Sequence, residues 1–210
     1  MKYKIISVTS FMQNCTIIWD EKSLDAVIID PGGETEKLIS EIERYSLNLQ
    51  YILLTHAHFD HIGSCAEIAT YFSSPIYGPQ KEDQFLIKEL TLQTKMFGVP
   101  ECSIFTPDWW LQDGDEISFA DIKLSVLHCP GHTPGHVIFV NHTDKIIFMG
   151  DVLFQGSIGR SDFPKSDQSD LINSIKTKIL PLGDDYQFIP GHGPMSNLGF
   201  ERKFNPFLQK

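Results

Sequence analysis

The sequence lacks an excess of basic residues, a long apolar run and a recognisable leader, and each absence excludes a class of protein. Lys and Arg number 17 against 27 Asp and Glu, which gives a formal net charge of −10. Without a basic stripe, no nucleic-acid-binding surface is expected. No apolar run approaches the ~20 residues that span a bilayer, and the first residues lack the apolar core and cleavage site of a signal peptide. We therefore expect a cytoplasmic protein that binds neither membranes nor nucleic acids.

Cysteine is also scarce, with four scattered residues and no CxxC pair. A chain of 210 residues can build its own hydrophobic core, so we expect no disulfide framework. Cys129 lies three residues before His132, and it is either a buried reduced thiol or a group near a site. The length and the 41% hydrophobic content are those of a globular protein with a single domain over residues 1–210.

Apolar runs of strand length alternate with amphipathic segments along the chain. The predicted strands cover residues 3–8, 15–19, 26–30, 51–54, 116–119, 122–127, 137–140, 146–149 and 187–189. The predicted helices cover residues 34–45, 64–72, 82–96 and 168–179. Because the strands outnumber the helices and the helices are spread along the chain, the pattern predicts an α/β fold with helices on the outer faces of its sheets.

Four candidate ligands each follow the end of an apolar strand-like run. These residues are His56, His132, Asp151 and His192. Side chains just beyond strand ends are held by a rigid scaffold and remain open to a substrate. The four positions therefore predict one common rim.

The segment Thr55–His61 holds three imidazoles and one carboxylate. So many ionisable groups in one short segment need a charge to organise them, and His with Asp suits zinc, iron or manganese. The i, i+2 spacing lets His56 and His58 approach one ion, while Asp60 and His61 turn toward a second. The segment therefore predicts a metal site.

Two further histidines lie in loops rich in glycine and proline. His132 is the third residue of PGHTPGH, and His192 is the third residue of PGHGP. Rigid turns fix a ligand with little loss of entropy on metal binding. Asp151 follows the apolar run that ends at Gly150, and it is either a bridging carboxylate or an exposed turn residue. His136 is an alternative ligand.

The motifs THAHFDH, GHTPGH, a strand-end Gly-Asp and PGHGP together resemble the metallo-β-lactamase superfamily. The chain further resembles short-form bacterial glyoxalase II enzymes, the hydroxyacylglutathione hydrolases. The segments DPGG at 30–33, GRSDFP at 159–164 and NPF at 205–207 fit that group. The resemblance implies a four-layer αββα sandwich.

The resemblance also implies a site of two divalent ions, with zinc expected and iron or manganese as alternatives. It places His56, His58 and His132 on one ion, Asp60, His61 and His192 on the second, and Asp151 between them. Asp30 would orient the histidine loop from behind, or it is a plain turn residue before Pro31.

Two ions close together lower the pKa of a shared water to roughly 7 and polarise a carbonyl, so no Ser or Cys nucleophile is needed. A thiolate leaving group suits a soft ion. The resemblance implies hydrolysis of a thioester such as S-lactoylglutathione, with Asp60 and Asp151 as catalytic residues. Only eighteen residues follow His192, too few for the basic C-terminal region of long-form enzymes. The resemblance makes Arg160 the candidate substrate-binding residue, because it replaces a basic residue of the long form, although the aromatic residue two positions later is Asp162 here. Three other basic residues either add charge for the substrate or are solvated surface residues: Lys165, Arg202 and Lys203.

The main alternative is a persulfide dioxygenase of the same fold, with one iron on His56, His132 and Asp151. That family shares a GR-[ST]-DF segment, but its last histidine typically stands in Ala-His-Asp-Tyr, whereas His192 stands in Gly-His-Gly-Pro. This difference favours the hydrolase. Lactonases and β-lactamases share the site, although β-lactamases are exported. A non-enzymatic zinc protein would not need the second set of ligands.

Overall fold

The computed structural model describes residues 1–209, and its strands form two sheets and a small hairpin. The first sheet contains, in spatial order, β1 (Lys2–Val8), β2 (Gln13–Trp19), β3 (Asp25–Ile29), β4 (Asn48–Leu53) and β5 (Ile76–Tyr77). The second contains β6 (Glu116–Phe119), β7 (Ile122–His128), β8 (Val137–Asn141), β9 (Ile146–Gly150), β12 (Gln187–Pro190) and β13 (Ser196–Asn197). Its spatial order is β13-β12-β9-β8-β7-β6. The hairpin consists of β10 (Leu153–Phe154) and β11 (Ser157–Ile158).

In the described part of the chain, residues 1–209, seven α-helices surround these strands. They are α1 (Thr35–Arg44), α2 (Phe59–Ile62), α3 (Cys65–Phe72), α4 (Gln84–Lys88), α5 (Leu90–Phe97), α6 (Gln168–Ser174) and α7 (Leu198–Phe204). A 3₁₀ turn, Lys81–Asp83, precedes α4, and α6 continues as a π-helical turn, Ile175–Ile179, and a 3₁₀ turn, Leu180–Leu182. Within residues 1–209, none of these helices has the length and apolar character needed to cross a membrane.

The period of two along each strand divides the core into three clusters. In β2, Ile17 packs with α1 and α3 on the outer face of the first sheet, whereas Ile18 points into the space between the sheets. In β8, Phe139 points into that same space, while Ile138 and Val140 pack against α6 on the outer face of the second sheet. The layers therefore run helix, sheet, sheet, helix, and the predicted αββα sandwich is confirmed.

Strand directions bring the carboxyl ends of five strands to one edge of the sandwich. Strand β3 is parallel to β4, and β9 is parallel to β12. Strand β7 has the direction of β9, because both are antiparallel to β8. The residues that follow these strands therefore meet at one rim, as the positions of the histidines predict.

One segment that was predicted as a single helix forms two helices. Residues 82–96 do not form one helix, because the chain breaks at Glu89 between α4 and α5. The Gln93 side chain accepts a hydrogen bond from the Phe59 N–H and donates another to the Leu86 carbonyl. The contact with Phe59 is a tertiary one, and tertiary contacts override a helical periodicity. The short elements β5, β10, β11, β13, α2 and α7 were not predicted.

Candidate metal centre

Three histidines meet at the rim through their ring nitrogens. The Nδ1 atom of His58 lies 3.1 Å from Nε2 of His56 and 3.0 Å from Nε2 of His132. His132 Nδ1–H donates to the Arg160 carbonyl at 2.8 Å. Thr55 donates its hydroxyl hydrogen to Asp30, so its oxygen accepts from His56 Nδ1–H at 3.0 Å. Both Nε2 atoms therefore present lone pairs, and we call His56, His58 and His132 the first half-site.

A second set of three ligand-type residues lies beside the first. His192 Nε2 lies 3.2 Å from Asp60 Oδ2 and 3.4 Å from His61 Nε2. The outer nitrogens of both rings are occupied, because His61 Nδ1–H donates to Asp30 at 2.9 Å and His192 Nδ1–H donates to the Phe11 carbonyl at 3.0 Å. We call Asp60, His61 and His192 the second half-site.

Asp151 lies between the two half-sites. Its Oδ2 is 3.6 Å from His132 Nε2 and 3.7 Å from His192 Nε2, and its Oδ1 is 3.5 Å from His61 Nε2. Within residues 1–209, Oδ1 is buried and has no hydrogen-bond partner. A side chain at Gly191 would overlap this carboxylate, so the loop needs glycine there. Asp151 is thus placed to contact an ion in either half-site.

The first half-site is electrically neutral without an ion. Burial lowers the pKa of His56 and of His58 well below the usual range, and the neighbouring histidines lower both further. Burial also lowers the pKa of His132, and it outweighs the opposing charge of Asp151. All three rings are therefore neutral near pH 7, the form in which imidazole binds metals.

The second half-site holds charge of both signs. Burial alone would lower the pKa of His61, but Asp151, Asp30 and Asp60 outweigh it and raise the value to about 9. The pKa of His192 is also raised, because the hydrogen bond to Asp60 and the charge of Asp151 outweigh burial. Burial would raise the pKa of Asp60, but the hydrogen bond with His192 and the charge of His61 bring it well below its usual range.

Donor chemistry at this rim fits a divalent metal. The Nε2 lone pairs of His56 and His132 both face His58 Nδ1. A single N–H on His58 Nδ1 can donate to only one of these two acceptors. Asp151 Oδ1 is a buried acceptor to which no group of the described residues donates a hydrogen bond. Unpaired buried groups of this kind are costly unless a cation completes them. Imidazole nitrogens with carboxylate oxygens form the donor set of zinc, iron and manganese sites.

Asp30 lies directly behind the histidine cluster. Its two oxygens accept from the Thr55 N–H at 2.7 Å, the Thr55 hydroxyl at 2.6 Å and His61 Nδ1–H at 2.9 Å. The residue is 2% exposed, so it is not a plain surface turn residue. One carboxylate thereby orients His61 directly and His56 through Thr55, which is the outer contact that ligating histidines need.

Two further buried residues contact the centre, and one of them, Asp83, was not predicted to have a role there. Asp83 accepts hydrogen bonds from Ala57 and from the loop that follows His132. Burial raises the pKa of Asp83 to about 7 against these donors. The polar run KEDQ gave no signal for it, because such runs are usually exposed. His136, considered as a ligand, accepts the Asp151 N–H at 3.0 Å and belongs to neither half-site.

Two other residues, Cys129 and His142, contribute nothing to the cluster. Cys129 is a free thiol, and burial raises its pKa to about 12. It therefore stays protonated and packs beneath the second sheet. His142 is exposed and pairs with the Tyr186 hydroxyl.

Aromatic side chains and one ion pair border the centre. The Phe163 ring lies 4.8 Å from the His58 ring and 5.7 Å from the His132 ring, while the Phe154 ring lies 6.5 Å from the His192 ring. Arg160 is exposed, and its guanidinium stacks 4.5 Å from the Phe163 ring centroid. It donates two hydrogen bonds to Asp162, at 2.9 and 2.8 Å. Its positive charge is thus shared with a carboxylate.

Comparison with known proteins agrees with this geometry. The metallo-beta-lactamase superfamily profile matches residues 8–192. Hydroxyacylglutathione hydrolase GloC of Haemophilus influenzae is 48% identical over 209 residues, which cover 99% of this chain and 98% of that protein.

Two solved structures share the fold over almost the full length. BLEG-1 B3 metallo-beta-lactamase has a TM-score of 0.92 and 36% identity, with 100% of each chain covered. TTHA1623 in a di-iron-bound form has a TM-score of 0.89 and 35% identity, with 98% of this chain and 100% of that chain covered.

Proposed function

The chain belongs to the metallo-β-lactamase superfamily and is a metal-dependent hydrolase, and from that membership we propose that it hydrolyses glutathione thioesters at a centre of two divalent ions. The substrate class is that of the 48%-identical hydroxyacylglutathione hydrolase, which matches over its full length. The observation that carries the proposal is the pair of complete half-sites with Asp151 between them.

The proposed ligands divide between the ions as the half-sites do. His56, His58 and His132 hold the first ion, Asp60, His61 and His192 hold the second, and Asp151 contacts both. Zinc is the proposed metal, and the di-iron form of a 35%-identical protein supports iron as an alternative. When bound, two such ions supply a water molecule that ionises near neutral pH and a positive charge beside the substrate carbonyl.

The reaction consumes one water molecule. Its oxygen adds to the thioester carbonyl, the C–S bond breaks, and the products are a hydroxy acid and the glutathione thiol. Asp60 and Asp151 are the proposed catalytic residues, because their carboxylates lie where the nucleophile must be held. Phe163 borders the first half-site beside His58, and Phe154 borders the second beside His192, so the proposed substrate carbonyl lies next to apolar rings.

A cytoplasmic location is part of the proposal. Glutathione keeps thiols reduced in that compartment. Cys15, Cys65 and Cys129 are buried free thiols in the described chain, as expected for a protein that carries no disulfide framework.

The single-iron dioxygenase requires fewer ligands than this centre offers. One iron on His56, His132 and Asp151 would leave Asp60, His61 and His192 without a metal-binding role. These three lie within 4.8 Å of one another through their ligand atoms. Their convergence favours the two-ion hydrolase.

Thioester turnover by zinc-loaded and iron-loaded protein tests the proposal. We expect S-lactoylglutathione to be hydrolysed, with a KM toward the millimolar end of the usual range, and two ions to be retained per chain. Loss of thioester absorbance and release of thiol measure the reaction, and metal analysis counts the ions. A β-lactam and a glutathione persulfide serve as comparison substrates. Oxygen uptake on the persulfide by the iron form, with no thioester turnover under either metal, would refute the proposal.

A further inference from the structure

One buried carboxylate connects the two loops that supply the first half-site. Asp83 lies in the 3₁₀ turn Lys81–Asp83 and has no exposed surface. Its Oδ2 accepts from the Ala57 N–H at 3.1 Å and from the Thr133 hydroxyl at 2.7 Å. Its Oδ1 accepts from the Gly135 N–H at 2.6 Å. The three donors come from two segments that are far apart in sequence.

The donors stand next to the histidines. Ala57 separates His56 from His58, and Thr133 directly follows His132. Asp83 therefore fixes the backbone of each loop, whereas Thr55 and the Arg160 carbonyl fix the imidazole rings themselves. A ring held by its own hydrogen bond still moves with its backbone, so both kinds of contact are needed to set the separation of the nitrogens.

The packing around Asp83 leaves little room for the loops to shift. The Gln80 N–H donates to the Gly135 carbonyl at 3.0 Å. A Cβ placed on Gly135 would lie 2.6 Å from the Asp83 nitrogen and 2.8 Å from its carboxyl carbon. The glycine thus lets the loop after His132 pack directly against the turn that carries Asp83.

We propose that Asp83 is a positioning residue, whose buried carboxylate holds the two loops of the first half-site at the spacing that the first ion requires. The inference rests on the proposed function, because it assigns His56, His58 and His132 to that ion. Asp60, His61 and His192 donate nothing to Asp83 within residues 1–209. The effect of losing Asp83 is therefore larger at the first ion than at the second.

Asp83→Asn tests the proposal with almost no change in volume. The amide has one acceptor oxygen, so either Ala57 or Gly135 faces an NH₂ group and loses its acceptor. Contacts behind metal ligands typically change metal affinity by about 10- to 100-fold. We expect the zinc dissociation constant of the first ion to rise by about that factor.

The zinc affinity of each half-site is measured in a background variant that lacks a ligand of the other half-site. In an Asp60→Ala background, which removes a ligand of the second ion, Asp83→Asn should raise the dissociation constant of the remaining zinc by at least tenfold. In a His58→Ala background, which removes a ligand of the first ion, Asp83→Asn should change the remaining affinity less than threefold. Competition with a chromophoric chelator gives both values without any thioester assay.

Glu201→Gln is the matched control. Glu201 is also a fully buried carboxylate, and it accepts from the Gly156 N–H, Asn205 and Ser196. None of these donors lies in the histidine loops that Asp83 joins. Its loss should lower the melting temperature and leave the affinity for the first ion unchanged, which separates positioning from general loss of stability.

Thr133 provides a second test if Asp83→Asn does not fold. Thr133→Val removes one donor to Asp83 and should lower the affinity for the first ion several-fold. Thr133→Ser keeps the hydroxyl and should have the wild-type affinity. Equal affinity for the first ion in wild type and in the variant of either residue would overturn the inference while leaving the hydrolase proposal intact. A wild-type protein that binds neither zinc nor iron would refute the proposed function itself, and the inference with it.

Discussion

The two half-sites use similar ligands but hold protons in opposite ways. In the first, burial lowers the pKa of His56, His58 and His132, and the rings are neutral before an ion arrives. In the second, nearby carboxylates raise the pKa of His61 to about 9 and raise that of His192 as well. The first half-site offers free lone pairs, whereas the second already holds positive charge.

The difference follows from where the carboxylates lie. Asp60 and Asp151 both face His192, and Asp30 and Asp151 both face His61. In the first half-site, Asp151 lies 3.6 Å from His132, but burial outweighs the charges of Asp151 and Asp60 there and keeps the pKa of the histidines low. An ion entering the second half-site therefore displaces a proton, while an ion entering the first does not. We infer that the first ion binds independently of pH near neutrality and that the second does not.

The largest expected effect comes from removing the carboxylate of the second half-site. Asp60→Ala should leave the first ion in place, because His56, His58 and His132 are unchanged. It should lower kcat for S-lactoylglutathione on the order of 10²-fold or more, or ~3 kcal/mol and above, because the nucleophile loses a group that positions it. Steady-state kinetics and metal analysis on zinc-loaded protein measure both quantities.

In a single-iron dioxygenase the same substitution touches no ligand. Its effect there should be about 10- to 100-fold at most, and it should appear in persulfide-dependent oxygen uptake by the iron form. If the zinc form of Asp60→Ala keeps wild-type kcat, Asp60 is not a catalytic residue, and the second half-site does not contribute to catalysis through it.

The next effect is a pH dependence confined to the second ion. His61 is protonated below pH 9 in the metal-free protein, so zinc competes with a proton there. Each rise of one pH unit toward 9 lowers tenfold the concentration of protons that compete with zinc for His61. The apparent dissociation constant of the second ion should therefore fall about tenfold per pH unit. The first ion should show almost no change over the same range, since its ligands are already neutral.

Chelator competition at about pH 6.5 to 7.5 measures how the dissociation constant of each ion changes with pH. Asp60→Ala reports the first ion alone, and His58→Ala reports the second. Asp30→Asn removes one of the charges that raise the pKa of His61, so it should flatten the slope of the second ion. Equal slopes for the two ions would contradict the assignment of the proton to the second half-site.

Sequence patterns anticipated the strands and the rim better than the contacts behind them. The apolar runs before Thr55, Asp151 and His192 end at the correct edge, because period and length reveal buried strands. They could not show that Asp83 reaches both histidine loops. A carboxylate in a polar run has no periodicity that distinguishes a buried acceptor from an exposed charge. Long-range hydrogen bonds of this kind depend on the tertiary packing.

The same limit explains the errors in the helices. The segment 82–96 has a helical pattern, yet Gln93 contacts Phe59 and Leu86 and the helix breaks at Glu89. Elements of two residues, such as β5 and β10, are too short to show alternation. The assignments of ligands and of substrate-binding residues remain predictions, and the variants described here address them directly.

The smallest expected effect concerns the rim on the side of the first half-site. Arg160 stacks on Phe163, which packs on His58, so it lies on the side of the first ion. Its pairing with Asp162 reduces its attraction for a glutathione carboxylate. Arg160→Ala should raise KM more than it lowers kcat, as expected for a group that only binds substrate.

Asp162→Asn should have the opposite effect, because it leaves the guanidinium without its carboxylate partner. Exposed ion pairs are weak, so KM for S-lactoylglutathione should fall by only about 2- to 5-fold at low salt, with kcat unchanged. The gain should vanish at high salt, where exposed charges are screened, and in an Arg160→Ala background. Glu116→Gln, which breaks the exposed pair with Lys123 on β6 and β7, is the control and should leave KM unchanged. If KM changes in neither the Arg160 nor the Asp162 variant, the thiol half of the substrate does not bind beside Arg160. We would then expect it to bind beside Phe154, next to the second ion.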